Sequence, residues 1–209
     1  MARSPAFPLV AILAALWLGM LLLGGPASDA DAILRHAFRV PALVPAARLL
    51  TRLGDWNLLL PLTLAAAAAL AWFVSRRSAL IYVGLILGGR LLVEAEKVAI
   101  GRARPDENGR LVHVATLSYP SAHAAYSMIA WLGLALLAAR APRTRARAVA
   151  FALALAFLVG ASRLVLAVHW PSDVIGGWAF GAGWTLLLLR LTEERRRRSG
   201  IDRSKESDR

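Results

Sequence analysis

The chain contains no cysteine. That absence excludes disulfides, thiolate nucleophiles and cysteine-ligated zinc, and it leaves the redox compartment unreadable. Charge is also scarce: 18% of residues are Asp, Glu, Lys or Arg, against roughly 25% in soluble domains. Acidic residues are the scarcer kind, 13 beside 25 Lys and Arg in 209 residues. No glycine-rich phosphate loop is present, which argues against a nucleotide-driven mechanism. Internal repeats and low-complexity linkers are absent as well. Apolar side chains take the place of charge, at 58% of the chain, more than one soluble domain of this length can bury.

The apolar residues fall into six segments, and a helix needs about 20 of them to cross a hydrocarbon core. Residues 4–28, 56–75 and 111–139 carry no Asp, Glu, Lys or Arg at all. Residues 79–100, 148–168 and 174–191 are apolar but hold charged groups inside or at one end. Arg3 before an apolar run that ends in small residues also has the outline of a signal peptide, but a charge-free run of 25 residues is long for one. It is read here as an uncleaved helix. The expected fold is therefore an all-α, polytopic membrane bundle of six transmembrane helices, one domain over residues 1–192. Residues 193–209 form a basic tail expected to be disordered.

Six spans put both termini and two loops on one side. That side carries 15 basic and five acidic residues, among them Arg76, Arg77, Arg140, Arg143, Arg145, Arg147 and Arg195 to Arg198. Its net charge is +10, against +2 for everything else. The positive-inside rule places it in the cytoplasm. The Arg195–Arg198 run then reads as an anchor on anionic headgroups rather than a nucleic-acid site. On the outer side, residues 29–55 interleave apolar residues with Arg35, Arg39, Arg48 and Arg52, a pattern suited to an amphipathic helix in the interface. Leu53-Gly54-Asp55 reads as its terminating turn.

Polar residues gather at one level. Lys97, Arg102 and Arg104 lie where the third span leaves the membrane, and His123 where the fourth enters. Arg163 and His169 mark the exit of the fifth, and Asp173 the start of the sixth. Each has a bland reading of its own. A single Arg or Lys here is a snorkelling interface residue, and His113 is a loop histidine. Arg90 and Glu94, four apart on one helix face, read as a structural ion pair. Trp56, Trp170 and Trp178 suit an interfacial belt, and Gly177 with Gly181 a close helix contact. Together the polar residues say more. Cations without a matching carboxylate cluster make an anion site, and guanidinium binds phosphate oxygens bidentately. Two histidines beside it offer a nucleophile and a proton donor. Asp173, four residues past His169, is within reach of its ring and able to fix the tautomer. The residues point to phosphate-ester chemistry at the outer membrane surface.

Three motifs occur in order: Lys97-x6-Arg104-Pro105, Pro120-Ser121-Ala122-His123, and Ser162-Arg163-x5-His169-x3-Asp173. With this spacing the chain resembles the type 2 phosphatidic-acid phosphatase family, which also contains the vanadium haloperoxidases, over residues 53–183. The resemblance implies a metal-independent phosphatase without cofactor, acting through a phosphohistidine. His169 would attack phosphorus, Asp173 would orient it, and His123 would protonate the leaving group. Lys97, Arg104, Arg163, Ser121 and the Ala122 position would bind the phosphate. Ala122 departs from the family, which has glycine there. Ala keeps the amide N–H but is strained if the position needs positive φ.

The expected function is hydrolysis of a lipid phosphomonoester or diphosphate, of the phosphatidic acid, phosphatidylglycerol phosphate, polyprenyl diphosphate or lipid A type. The expected partners are this substrate and membrane lipids, with no nucleic acid; the sequence does not give an oligomeric state. The expected location is a bacterial inner membrane, with the site on the periplasmic side and both termini cytoplasmic. Two alternatives stay open. A lipid phosphotransferase would use the same histidine with an alcohol acceptor, and a transporter or scramblase would use the charges without chemistry.

Overall fold

The computed structural model describes residues 6–106 and 109–207, and its regular elements are all helical. In chain order they are α1 (Ala6–Leu23), α2 (Asp29–Ala37), α3 (Val44–Leu50), α4 (Trp56–Phe73), α5 (Arg76–Ile100), α6 (Ala122–Ala138), α7 (Pro142–Val165) and α8 (Pro171–Ser207). By length and composition, α4, α5, α7 and the part of α8 up to Arg196 can cross a membrane. Shorter apolar helices at Phe7–Leu23 and Ala122–Ala138 bring the apolar helices to six. Their outward residues explain the composition: Trp72, Phe73, Leu80, Leu91 and Val98 lie exposed on the outside of the bundle, where lipid rather than water is the fitting solvent.

Local chemistry sets the helix ends. Ser75 caps α5, accepting from the Ser78 N–H at 3.0 Å, and α5 stops at Gly101, whose φ of 68° is left-handed. Asp55 caps α4 through the Asn57 N–H at 2.9 Å. Pro142 opens α7 and Pro171 opens α8, positions where the missing N–H costs nothing. Helix α6 is central, packed on α5, α7 and α8, while α1 lies along α8. A Cβ at Gly177 would stand 2.7 Å from the Ser121 carbonyl oxygen, and one at Gly181 2.7 Å from that of Ala125. The two glycines thus let α8 close onto α6, the contact their spacing suggested.

The structure refines several expectations. Residues 111–121 belong to the same charge-free run as the fourth span but lie ahead of it: α6 begins at Ala122, one residue before the expected entry at His123. Absence of charge does not make a helix, and this stretch instead crosses the end of the bundle, with the Leu111 N–H on the Leu166 carbonyl and the Ser118 N–H on the Arg102 carbonyl. The interfacial segment is two short helices, α2 and α3, with 3-10 turns at Pro41–Leu43 and Thr51–Gly54. Arg90 and Glu94 take separate aromatic partners: Arg90 lies 3.9 Å from the Trp56 ring centroid, and Glu94 accepts from the Tyr126 hydroxyl at 2.6 Å. Two of the three tryptophans suited to a belt turn their N–H groups into the protein. The indole N–H of Trp170 donates inward to the Ala103 carbonyl and that of Trp178 to the Ala156 carbonyl, both at 3.0 Å. Helix α8 itself runs on past Glu193 to Ser207, in keeping with the Glu and Arg there, both good helix formers. Arg3 and Arg209, part of the charge count, lie outside the described residues.

Candidate active site

The topology brings the ends of α5 and α7 and the starts of α4, α6 and α8 to one end of the bundle, opposite the Arg-rich connections. The stretches 101–106 and 109–121 and the turn from Leu166 to Trp170 cross this end. They meet at His169, which is 1% exposed. The two ring nitrogens face different surroundings. Nδ1 is 3.3 Å from Asp173 Oδ2, and Nε2 is 3.0 Å from Arg104 Nη1. Since the carboxylate only accepts and the guanidinium only donates, the consistent tautomer carries its proton on Nδ1 and presents the Nε2 lone pair to the cations. Burial, then Arg104, Lys97 and Arg163 in that order, hold the His169 pKa well below the usual histidine value. At neutral pH the ring is therefore uncharged, the form in which Nε2 is nucleophilic.

Asp173 is wholly buried in the first turn of α8, where a carboxylate suits the positive end of the helix dipole. Its Oδ2 accepts from the Ser118 hydroxyl at 2.5 Å and the Trp170 N–H at 2.9 Å. Its Oδ1 accepts from Arg102 at 3.0 Å. The Asp173 carbonyl takes the Ser121 N–H at 2.9 Å, which joins the second motif to the third.

The cations are held by backbone carbonyls. Arg104 donates to Thr116 O at 2.5 Å, Val168 O at 2.7 Å and Leu117 O at 3.2 Å. Lys97, 2% exposed, donates to the same Leu117 carbonyl at 2.6 Å. Burial lowers the Arg104 pKa to about 10, the Asp173 charge opposing the shift, so Arg104 stays a cation at neutral pH. Arg163 Nη1 donates to Thr51 Oγ1 at 2.7 Å, while its buried Nε has no partner. Ser121 Oγ is likewise buried without a partner. Two orphaned donors among three cations are what an anion site requires.

His123, in the first turn of α6, lies within electrostatic range of Arg163, His169, Arg104 and Lys97. Its Nε2 stands 4.0 Å from Asp55 Oδ2. Ala122 is the first residue of α6, whose N-terminal amides lack helical partners. Among the described residues Ala167 alone of the non-glycines has positive φ, so the 122 position requires no left-handed backbone. Ala122→Gly should accordingly keep kcat/KM within about threefold and cost at most about 1 kcal/mol of stability. Steady-state kinetics and a melting curve check this; a large loss of activity would mean that the Ala122 methyl is fitted to the site.

Every candidate residue named from sequence thus lies at this end of the bundle, though Ser121 and Arg163 keep donors unused. Reading the sequence missed Ser118, Thr116, the Leu117 and Val168 carbonyls, Thr51 and Asp31. Ser and Thr in a loop carry no signal of which carboxylate or guanidinium they will meet. Among the described residues no three of His, Asp and Glu converge as a metal-ligand set.

Residues 78–197 match the sequence model of the PAP2 superfamily. The chain is 33% identical over 202 residues to the lipid A 1-phosphatase of Rhizobium etli, a match spanning 85% of this chain and 80% of that protein. It is 36% identical over 145 residues to the decaprenylphosphoryl-5-phosphoribose phosphatase of Mycolicibacterium smegmatis, 66% of this chain and 72% of that one. The crystal structure of a transmembrane PAP2-type phosphatidylglycerolphosphate phosphatase from Bacillus subtilis superposes with a TM-score of 0.77 at 26% identity, over 90% of this chain and 96% of that one. An all-helical membrane bundle, three motifs meeting at one end and these likenesses agree: the chain belongs to the PAP2 superfamily and is a phosphoric-ester hydrolase.

Proposed function

We propose that the chain is a lipid phosphatase of a bacterial inner membrane, cleaving a phosphomonoester or diphosphate at the periplasmic face through a phosphohistidine. The observation that carries this reading is the asymmetry of His169: a carboxylate fixes Nδ1, and the opposite nitrogen faces Arg104. Lys97 shares a carbonyl with that Arg104, and Ser121 and Arg163 bring orphaned donors.

The chemistry follows in two displacements. The Nε2 lone pair of His169 attacks phosphorus and the bond to the leaving oxygen breaks. His123, which takes up a proton as the negative phosphate offsets the surrounding cations, gives that proton to the leaving oxygen. Arg104 moves its Nη1 from Nε2 to the phosphoryl oxygens, which Lys97, Arg163, Ser121 and the Ala122 amide also bind. Asp173 stabilises the ring, now positively charged, through Nδ1–H. Water then loses a proton to His123 and attacks phosphorus, and the P–N bond breaks to release phosphate. Positioning and charge stabilisation do most of the work in such transfers.

The relatives' names point to lipid substrates, and the site lies at the end of the bundle opposite the Arg-rich loops, as the positive-inside rule requires of an outer-face enzyme. Purified protein in detergent should release phosphate from at least one of phosphatidic acid, phosphatidylglycerol phosphate, polyprenyl diphosphate and lipid A, at a rate that EDTA leaves unchanged. Activity lost with EDTA and restored by zinc or magnesium would contradict it. Adding alcohol acceptors and looking for a phosphorylated product separates hydrolysis from phosphotransfer.

A further inference from the structure

Arg102 lies two residues before Arg104 but faces another way. It is 8% exposed, and both terminal nitrogens bind protein acceptors. Nη1 donates to Asp173 Oδ1 and Ser172 Oγ, each at 3.0 Å. Nη2 donates to the carbonyls of Met20 at 3.1 Å and Leu21 at 2.6 Å. Those carbonyls belong to the last turn of α1, where helical partners run out and a cation is favoured. The guanidinium carbon lies 4.3 Å from the Tyr119 ring centroid. A Cβ at Gly25 would stand 3.1 Å from Arg102 Nε, so the turn after α1 closes directly onto this side chain.

A second carboxylate completes the mount. Asp31, 4% exposed at the start of α2, accepts the Ser172 N–H at 2.9 Å and the Gly25 N–H at 2.6 Å, and it also pairs with the Ser172 hydroxyl. The residue next to Asp173 is thereby fixed from the N-terminal side. Met20, Leu21, Gly25 and Asp31 all precede residue 78, where the family match begins.

We propose that Arg102 is a positioning residue, held by the end of α1 and braced by Asp31 through Ser172 and Gly25, that sets the Asp173–His169 pair for catalysis. This rests on the reading of His169 as the nucleophile. Asp173 Oδ1 takes the Arg102 bond while Oδ2 meets His169, Ser118 and the Trp170 N–H. Arg102 thus fixes the rotation of the carboxylate and balances its buried charge. The first span is then part of the active-site support as well as a membrane anchor.

The test is kinetics on full-length protein in detergent, with the best phosphate-releasing lipid of the substrate panel as probe. Arg102→Gln should lower kcat about 100-fold, the scale of a small misplacement of catalytic groups, with KM changed by less than about twofold. Arg102→Lys, which keeps the charge beside Asp173, should recover about tenfold of that loss. Asp31→Asn should lower kcat several-fold at constant KM. Should Arg102→Gln fail to fold, judged by its melting curve, Arg102→Lys and Asp31→Asn carry the test. Unchanged kcat in the folded variants, or a raised KM at unchanged kcat, would overturn the proposal. His169→Ala serves as the control: if it is inactive while the Arg102 and Asp31 variants turn over normally, the positioning role fails alone, whereas an active His169→Ala would overturn the nucleophile reading beneath it.

Discussion

His169→Ala is expected to abolish turnover, lowering kcat by about 10⁴-fold or more, because the proposed attack on phosphorus uses its Nε2 lone pair. The loss should be chemical rather than structural. Asp173 would keep the Ser118 hydroxyl, the Trp170 N–H and Arg102 as donors, so removing the imidazole leaves no buried carboxylate unpaired. Arg104 would keep its bonds to Thr116, Leu117 and Val168. Phosphate release measured beside a melting curve should show a dead enzyme that melts within a few degrees of the wild type. Residual turnover near the wild-type rate would mean that the nucleophile lies elsewhere.

Asp173→Asn is expected to have the next largest effect, and its direction follows from counting donors. An amide has one acceptor oxygen and one NH2 group. Position Oδ2 meets the Ser118 hydroxyl, the Trp170 N–H and His169 Nδ1, whereas Oδ1 meets Arg102. The amide oxygen should therefore keep the Oδ2 place and turn its NH2 toward Arg102, donor against donor. The His169 tautomer survives, but the negative charge that stabilises the phosphorylated ring is gone. A fall in kcat of about 10³-fold is expected, with KM nearly unchanged. Arg102 loses its carboxylate partner, so stability should fall by about 3 kcal/mol, the cost of breaking a buried ion pair. Denaturant melts and steady-state kinetics on the same preparation measure both. A rise in KM at constant kcat would instead make Asp173 a substrate contact.

Much of this architecture was legible in the sequence, for identifiable reasons. Charge-free runs mark helices because a charge in hydrocarbon is costly, and α1 and α4 lie close to where those runs placed them. Asp173 was readable because four residues separate it from His169, a local spacing. The argument from charge does not extend to residues 111–121, where want of charge stands for a loop crossing the site. Local spacing failed for Arg90 and Glu94, since it says nothing of the aromatic rings on α4 and α6 that each prefers. Arg102 and Arg104 sit in one loop with the same chemistry; the family motif singles out Arg104, but no local pattern shows that Arg102 turns toward α1. Asp31 was beyond reach altogether, since its partner Ser172 lies 141 residues further along the chain.

The central claim is that phosphorus passes through His169, and isolating the intermediate tests it most directly. Wild-type protein is mixed with substrate carrying labelled phosphate, quenched during turnover and digested. The account predicts an acid-labile, alkali-stable label on the peptide containing His169, as expected of a phosphoramidate, and none in the His169→Ala protein. A label on another residue, or rapid-quench turnover with no covalent label at all, would contradict it.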